Sequence, residues 1–145
     1  MAITLAQAIR NAIAAEHAAE KFYLRLAQST PDGKARQILL GIAAQEREHA
    51  AGLEDVAKRL VAGTLPERAD KHVNVIESAP GAGDAENLSL REALEIAVDA
   101  ENGAILYYDA LATTSSGDAA IFFEQMGKEE EGHAVAIRKL LEQAV

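Results

Sequence analysis

The sequence has no cysteine, no tryptophan, three prolines and only 4% aromatic residues over 145 positions. Without cysteine it can build no disulfide, thiolate zinc site, iron–sulfur cluster or rubredoxin-type iron centre. Basic residues are in the minority: 14 Lys and Arg stand against 23 Asp and Glu, a formal charge of −9. That balance argues against nucleic acid as a partner, because phosphate binding needs clustered cations. No apolar run approaches the ~20 residues of a membrane span. The start, Met1-Ala2-Ile3-Thr4, lacks the basic opening and apolar block of a secretory signal. A cytoplasmic protein with no membrane and no nucleic-acid partner is expected. The composition, 49% hydrophobic and 26% charged, is that of an ordinary globular protein, read as one domain over residues 1–145. The excess of carboxylates is what needs a destination.

Pro31, Pro66 and Pro80 act as punctuation, since proline is poorly tolerated inside helices and strands. Between them run long tracts rich in Ala, Leu and Glu. Ile3, Leu5, Ile9, Ala12, Ile13, Glu16, Ala19, Glu20, Tyr23 and Leu26 follow the i, i+3, i+4, i+7 template of a helix. Thr4 with Gln7 and Ser89 with Glu92 read as capping boxes at two helix starts. The spacing predicts helices over 4–28, 34–62 (with Gly63 just past the end), 89–112 and 118–143, with turns at 29–33 and 113–117. Residues 64–88 lack helical periodicity and exceed the ~2–8 residues usual between adjacent bundle helices, so they read as a crossover along the bundle.

The halves repeat. Thr4 aligns with Ser89, Gln7 with Glu92, Glu16 with Glu101, Ala19 with Ala104 and Tyr23 with Tyr108, at a constant offset of 85; Glu46 and His49 align with Glu130 and His133 at 84. The one-residue difference implies a shorter turn in the second half. The expected fold is all-α: a ferritin-like four-helix bundle of two helix pairs, pseudo-twofold related and joined by a long crossover.

Polar positions survive the repeat on the apolar face. Glu16 sits among Ile9, Ala12, Ile13 and Ala19, and Glu101 among Leu94, Ala97, Val98 and Ala104. A lone carboxylate there costs several kcal/mol unless it is protonated or paired with a cation. The second helix of each half adds Glu-x-x-His, Glu46 with His49 and Glu130 with His133, and residues three apart share a helix face. The sum is four carboxylates and two imidazoles, the donor set of a di-iron or di-manganese carboxylate bundle. Hard oxygen donors suit both Fe(II) and Fe(III), and imidazole adds borderline nitrogen. Two Fe ions, two Mn ions or a mixed pair are compatible with these ligands, and ligand type does not choose between them.

The stretches Glu16–Tyr23, Gln45-Glu46-Arg47-Glu48-His49-Ala50, Ala100-Glu101 through Tyr107-Tyr108, and Glu129-Glu130-Glu131-Gly132-His133-Ala134 resemble the rubrerythrin branch of the ferritin-like superfamily. The resemblance spans all four helices. It implies Glu16, Glu46, His49, Glu101, Glu130 and His133 as ligands, with Glu46 and Glu130 bridging two irons. It also implies reduction of hydrogen peroxide at a diferrous centre, or oxidation of Fe(II) by peroxide or dioxygen as a ferroxidase would do. Two departures stand out. No cysteine is present to form the usual rubredoxin-type site, so electrons must come from an external donor such as a rubredoxin-like protein, or from iron itself. Where the family carries an extra Glu one turn beyond the helix-three ligand, this chain has Ala104. A homodimer is the assembly the family implies.

Glu20, one turn after Glu16, reads either as a substitute for that missing ligand or as a charge at the edge of the apolar stripe. Tyr23 and Tyr108 each follow a proposed ligand by seven residues, which returns them to nearly the same face. They are read as hydrogen-bond donors to a ligand carboxylate, as a stop for stray oxidising equivalents, or as core aromatics whose hydroxyls find any acceptor. Tyr107 and Phe22 read as packing residues, His17 as facing a neighbouring helix or solvent, and His72 as an unpatterned crossover residue. Arg47 and Glu131 fall on outer faces as solvated charges. In the acidic run Glu129-Glu130-Glu131, only Glu130 has the spacing to His133. Gly103, Gly127 and Gly132 sit inside predicted helices, where each costs about 1 kcal/mol relative to Ala; close helix approach or an open side for oxidant entry would account for them.

Overall fold

Helix starts are set by side chains that satisfy free backbone amides. The computed structural model describes residues 4–61, 63, 65–66 and 88–144. Thr4 Oγ1 accepts the Gln7 amide at 3.1 Å and opens α1, Leu5–Ser29. Asp32 accepts the Ala35 amide at 2.8 Å and opens α2, Gly33–Leu60. Ser89 and Glu92 form a complete capping box at α3, Leu90–Thr114. The fourth helix, α4, spans Gly117–Gln143, and its N-cap Ser116 makes no side-chain bond.

Three expectations are corrected at these ends. The Gln7 side chain bonds Asn11 Oδ1 at 2.9 Å instead of reaching back to the cap, so the first capping box is only half made. The second helix stops at Leu60, not at residue 62, with Val61 as its cap. Gly63 has φ of +93°, so it turns the chain three residues beyond the helix rather than closing it. The α1–α2 turn holds residues 30–32 and the α3–α4 turn residues 115–116. That single missing residue is why the repeat offset drops from 85 to 84.

Turns this short fold each pair back as an antiparallel hairpin. α1 packs on α2 and α3 on α4, and α2 meets α4 between the hairpins. Burial divides the interior in two. At one end Ile9, Ile13, Leu53, Tyr108, Leu111, Phe123 and Met126 pack together. At the other, Phe22, Tyr23, Leu26, Leu39, Leu94 and Ile137 do so. Each such side chain contributes about 1.5–3 kcal/mol on removal from water. Leu65 packs against the first cluster and Leu88 against the second, so the chain leaves α2 at one end of the bundle and re-enters α3 at the other. His72, Pro80 and most of the expected crossover lie outside the described residues.

Gly127 and Gly132 do not mediate close helix contact. An added Cβ at Gly132 would meet nothing within 4 Å, and one at Gly127 would lie 3.9 Å from Tyr108 Cβ. The tight approach is at Gly52, where a Cβ would come 3.1 Å from the Phe122 ring. Among the described residues no helix is long and apolar enough to cross a membrane.

Candidate metal centre

Between the two apolar clusters lies a layer of buried charge. Glu16, Glu46, Glu101 and Glu130 are each no more than 3% exposed, and His49 and His133 no more than 5%. Each is carried inward by the helical period that also buries its apolar neighbours. α1 supplies Glu16, α2 Glu46 and His49, α3 Glu101, and α4 Glu130 and His133.

The ligand atoms converge in two interlocking groups. Glu16, Glu46, His49 and Glu130 offer donor atoms all within 4.8 Å of one another, and so do Glu46, Glu101, Glu130 and His133. Glu46 and Glu130 belong to both. Glu46 Oε1 lies 3.3 Å from the Nδ1 atoms of both histidines, and Glu130 Oε1 lies 3.2 and 3.3 Å from the same two atoms. Glu16 Oε2 approaches only His49 Nδ1, at 3.4 Å, and Glu101 Oε2 only His133 Nδ1, at 3.7 Å. Two central carboxylates and two outer ones, each outer one beside one imidazole, give two adjacent positions for cations. The histidine rings are nearly parallel, 26° apart with centroids separated by 5.9 Å.

The donor set fits a dinuclear metal. Glu16 Oε2, Glu46 Oε1, Glu101 Oε2, Glu130 Oε1 and both Nδ1 atoms are buried with no hydrogen-bond partner. Buried polar atoms are ordinarily paired, and these six orphans, one from each residue, face one another as a coordination sphere requires; a seventh, His49 Nε2, is turned to the Glu129 side. Hard oxygen with some nitrogen, and no sulfur, suits Fe or Mn. Four carboxylates balance two divalent ions when both imidazoles are neutral.

The electrostatics describe the same demand for positive charge. Burial, then the Glu130 charge, pushes the Glu16 carboxyl up to about 7. The same two causes in the same order push Glu101 to about 7. Burial, with Glu16 next, raises Glu46. Burial opposes protonation of His133, yet Glu101, Glu130 and Glu46 outweigh it and push the ring up to about 12. His49 moves the same way against the same burial cost, through Glu130, Glu16 and Glu46. Burial raises the three carboxyls and the surrounding carboxylates raise the two imidazoles, so all five groups move towards holding a proton.

Around this cluster, the Tyr23 hydroxyl donates to Glu101 Oε1 at 2.7 Å and the Tyr108 hydroxyl to Glu16 Oε1 at 2.6 Å. Each outer carboxylate thus has one oxygen held by a tyrosine and the other turned to the cluster. Burial first, and the neighbouring carboxylate second, raises both phenols well above their usual value, so they stay protonated donors. Tyr107 packs beside Tyr108, and its hydroxyl also donates to the Ala8 carbonyl at 2.6 Å.

Glu20 is not in the cluster. Its Oε2 accepts from Arg47 Nε at 2.7 Å, which also corrects the reading of Arg47 as a merely solvated charge. His17, half exposed, lies 3.9 Å from Glu20. Ala104, where the resemblance leads to an extra Glu, is buried. Two residues escape the sequence argument: Gln45, whose amide oxygen accepts from His133 Nε2, and Glu129, 3.5 Å from His49 Nε2. They are themselves 84 residues apart, so extending the repeat one position upstream of each Glu-x-x-His finds them. A groove of about 540 Å³ lined by Val56, Leu60, Ile121 and Phe122 includes none of the cluster residues.

No curated protein matches the sequence. Among solved structures, a hypothetical protein from Pyrococcus furiosus superposes with a TM-score of 0.77 at 18% identity, over 97% of this chain and 89% of that one, a likeness of fold. The rubrerythrin family model matches residues 7–141, a span that takes in all six cluster residues. The chain belongs to the rubrerythrin family.

Proposed function

We propose that this protein is a non-haem di-iron oxidoreductase that reduces hydrogen peroxide or dioxygen with electrons from an external donor. The observation that carries the reading is the pair of interlocking ligand groups sharing Glu46 and Glu130. Glu16, Glu46, His49 and Glu130 would hold one iron, and Glu46, Glu101, Glu130 and His133 the other. Two Fe(II) ions bound there supply one electron each, so that hydrogen peroxide and two protons become two waters.

The chain's own groups set the conditions for that exchange. Tyr23 and Tyr108 fix the outer oxygens of Glu101 and Glu16, which leaves the inner oxygens turned to where the cations would bind. The apolar clusters on either side keep bulk water out, and in such a dry layer charge interactions are stronger than in solvent. These 145 residues hold no cysteine for a thiolate iron centre, so electrons would reach the site from a donor outside this bundle.

A second reading, a ferroxidase that oxidises Fe(II) as substrate, is favoured by one observation. Ala104 stands where an additional carboxylate would be, and Glu20 is held by Arg47 rather than by the cluster. Anaerobic Fe(II) loading followed by stopped-flow mixing separates the two. Faster oxidation by hydrogen peroxide than by dioxygen supports the peroxidase; preference for dioxygen with continued uptake of excess Fe(II) supports the ferroxidase. Binding of one iron or fewer per chain overturns both.

A further inference from the structure

The ligand set is nearly symmetric, but the groups behind the two histidines are not. Each ring turns Nδ1 to the cluster and Nε2 outward. Behind His133, Nε2 meets the neutral amide oxygen of Gln45. Behind His49, Nε2 makes no hydrogen bond and lies at ion-pair distance, 3.5 Å, from the carboxylate of Glu129. Gln45 and Glu129 are each the residue before a shared carboxylate, and each reaches across to the opposite hairpin. The repeat has therefore preserved the place and changed the charge. The Glu129 side chain is 36% exposed, whereas that of His49 is buried.

We infer that Glu129 is a positioning residue that makes the two metal positions unequal, the ion beside His49 and Glu16 being the more tightly held. The inference rests on the dinuclear reading above. A carboxylate accepting from the outward N–H of a metal-bound histidine fixes the ring's tautomer and increases the electron density its other nitrogen donates. Glu129 also adds a full negative charge on that side, where Gln45 offers only a dipole. Removing such a partner typically weakens metal affinity 10–100-fold, so a carboxylate on one side and an amide on the other separates two otherwise equivalent sites. In redox terms the same asymmetry favours the more oxidised ion at the His49 position, because the higher charge gains more from the nearby carboxylate.

The test is titration of the metal-free protein with Co(II), following stepwise affinities by calorimetry and the visible ligand-field bands. Three variants are compared: Glu129→Gln, Gln45→Glu, and Glu131→Gln as a control that removes a charge from an exposed neighbour. Glu129→Gln is expected to weaken the first binding step about tenfold and leave the second unchanged. Gln45→Glu is expected to strengthen the second step, and Glu131→Gln to change neither. In the proton spectrum of the Co(II) form, the two exchangeable imidazole N–H signals should respond separately. Glu129→Gln moves the His49 signal and Gln45→Glu the His133 signal, which a loss of general stability would not do. If Glu129→Gln lowers both steps equally, or does no more than Glu131→Gln, Glu129 has no such role while the dinuclear site stands. If the unaltered protein binds fewer than two Co(II), the dinuclear reading falls and this inference with it.

Discussion

The Tyr23 hydroxyl on α1 donates to Glu101 on α3 at 2.7 Å, a bond between residues 78 apart that ties one helix hairpin to the other. Tyr108 returns an equivalent bond to Glu16. Removing either hydroxyl leaves a carboxylate oxygen buried without its donor, at a cost of about 1–3 kcal/mol. Tyr23→Phe and Tyr108→Phe should each lower the thermal midpoint of the metal-free protein, and by similar amounts because the two environments are related by the repeat. Each should also loosen the outer carboxylate on its own side, read as weaker metal binding at one position. Unchanged midpoints in both variants would show that the tyrosines act only as packing.

Shared and unshared carboxylates should differ in kind. Glu46 and Glu130 belong to both ligand groups, Glu16 and Glu101 to one each. Glu46→Ala or Glu130→Ala is expected to impair binding of both ions. Glu16→Ala or Glu101→Ala should leave one ion bound per chain. Metal content by elemental analysis after equilibration with excess Fe(II) or Co(II) distinguishes these outcomes. Identical losses from all four variants would refute the bridged arrangement.

Stability should depend on pH with opposite sign in the metal-free and metal-bound states. Glu16 and Glu101 titrate at about 7 in the fold against 4.5 ordinarily. Between those values the folded protein binds more protons than the unfolded chain, so stability falls as pH rises through the window. His133 acts in the same direction. Its contribution is complete below 6.5 and is lost as pH rises towards about 12. The chelated protein should therefore melt at progressively lower temperature from about pH 5 to about pH 8. Metal binding displaces those protons, so the loaded protein should gain stability over the same range. A midpoint in chelator that climbs with pH would contradict the assigned shifts.

Glu20 offers a simple negative test. Its partner is Arg47, a largely exposed residue, and exposed pairs contribute about 0–1 kcal/mol. Glu20→Gln should leave metal stoichiometry at two per chain and shift stability by less than about 1 kcal/mol. Loss of one ion would instead assign Glu20 to the coordination sphere.

The fold was legible because α-helical period, caps and repeat agree. Ser89 and Glu92 mark a helix start unaided, and the one-residue shorter second turn is already present as the change of offset between Glu16/Glu101 and Glu46/Glu130. The six cluster residues were legible because carboxylates among Ile9, Ile13, Leu94 and Ala97 contradict the cost of burying charge. Periodicity was silent wherever a long side chain chooses among partners in space. Arg47 reaches 27 residues back to Glu20, and Glu129 turns from an exposed helix edge toward His49. The end of α2 was missed for a different reason: glycine at 63 satisfies a helix-stop pattern, yet the chain leaves the helix earlier and uses that glycine for a separate turn at φ +93°.

The layer of charge between two apolar clusters has a mechanical consequence. Each ligand group draws on both hairpins, the first taking Glu130 from α4 and the second taking Glu46 from α2. Cations in that layer would act as rivets through two leaves that the apolar clusters and the Tyr23–Glu101 and Tyr108–Glu16 bonds also hold. Losing the metal would remove that fastener and leave protons to offset the carboxylates, a compensation that weakens as pH rises. The integrity of the molecule is thereby linked to the supply of the ions it is proposed to use.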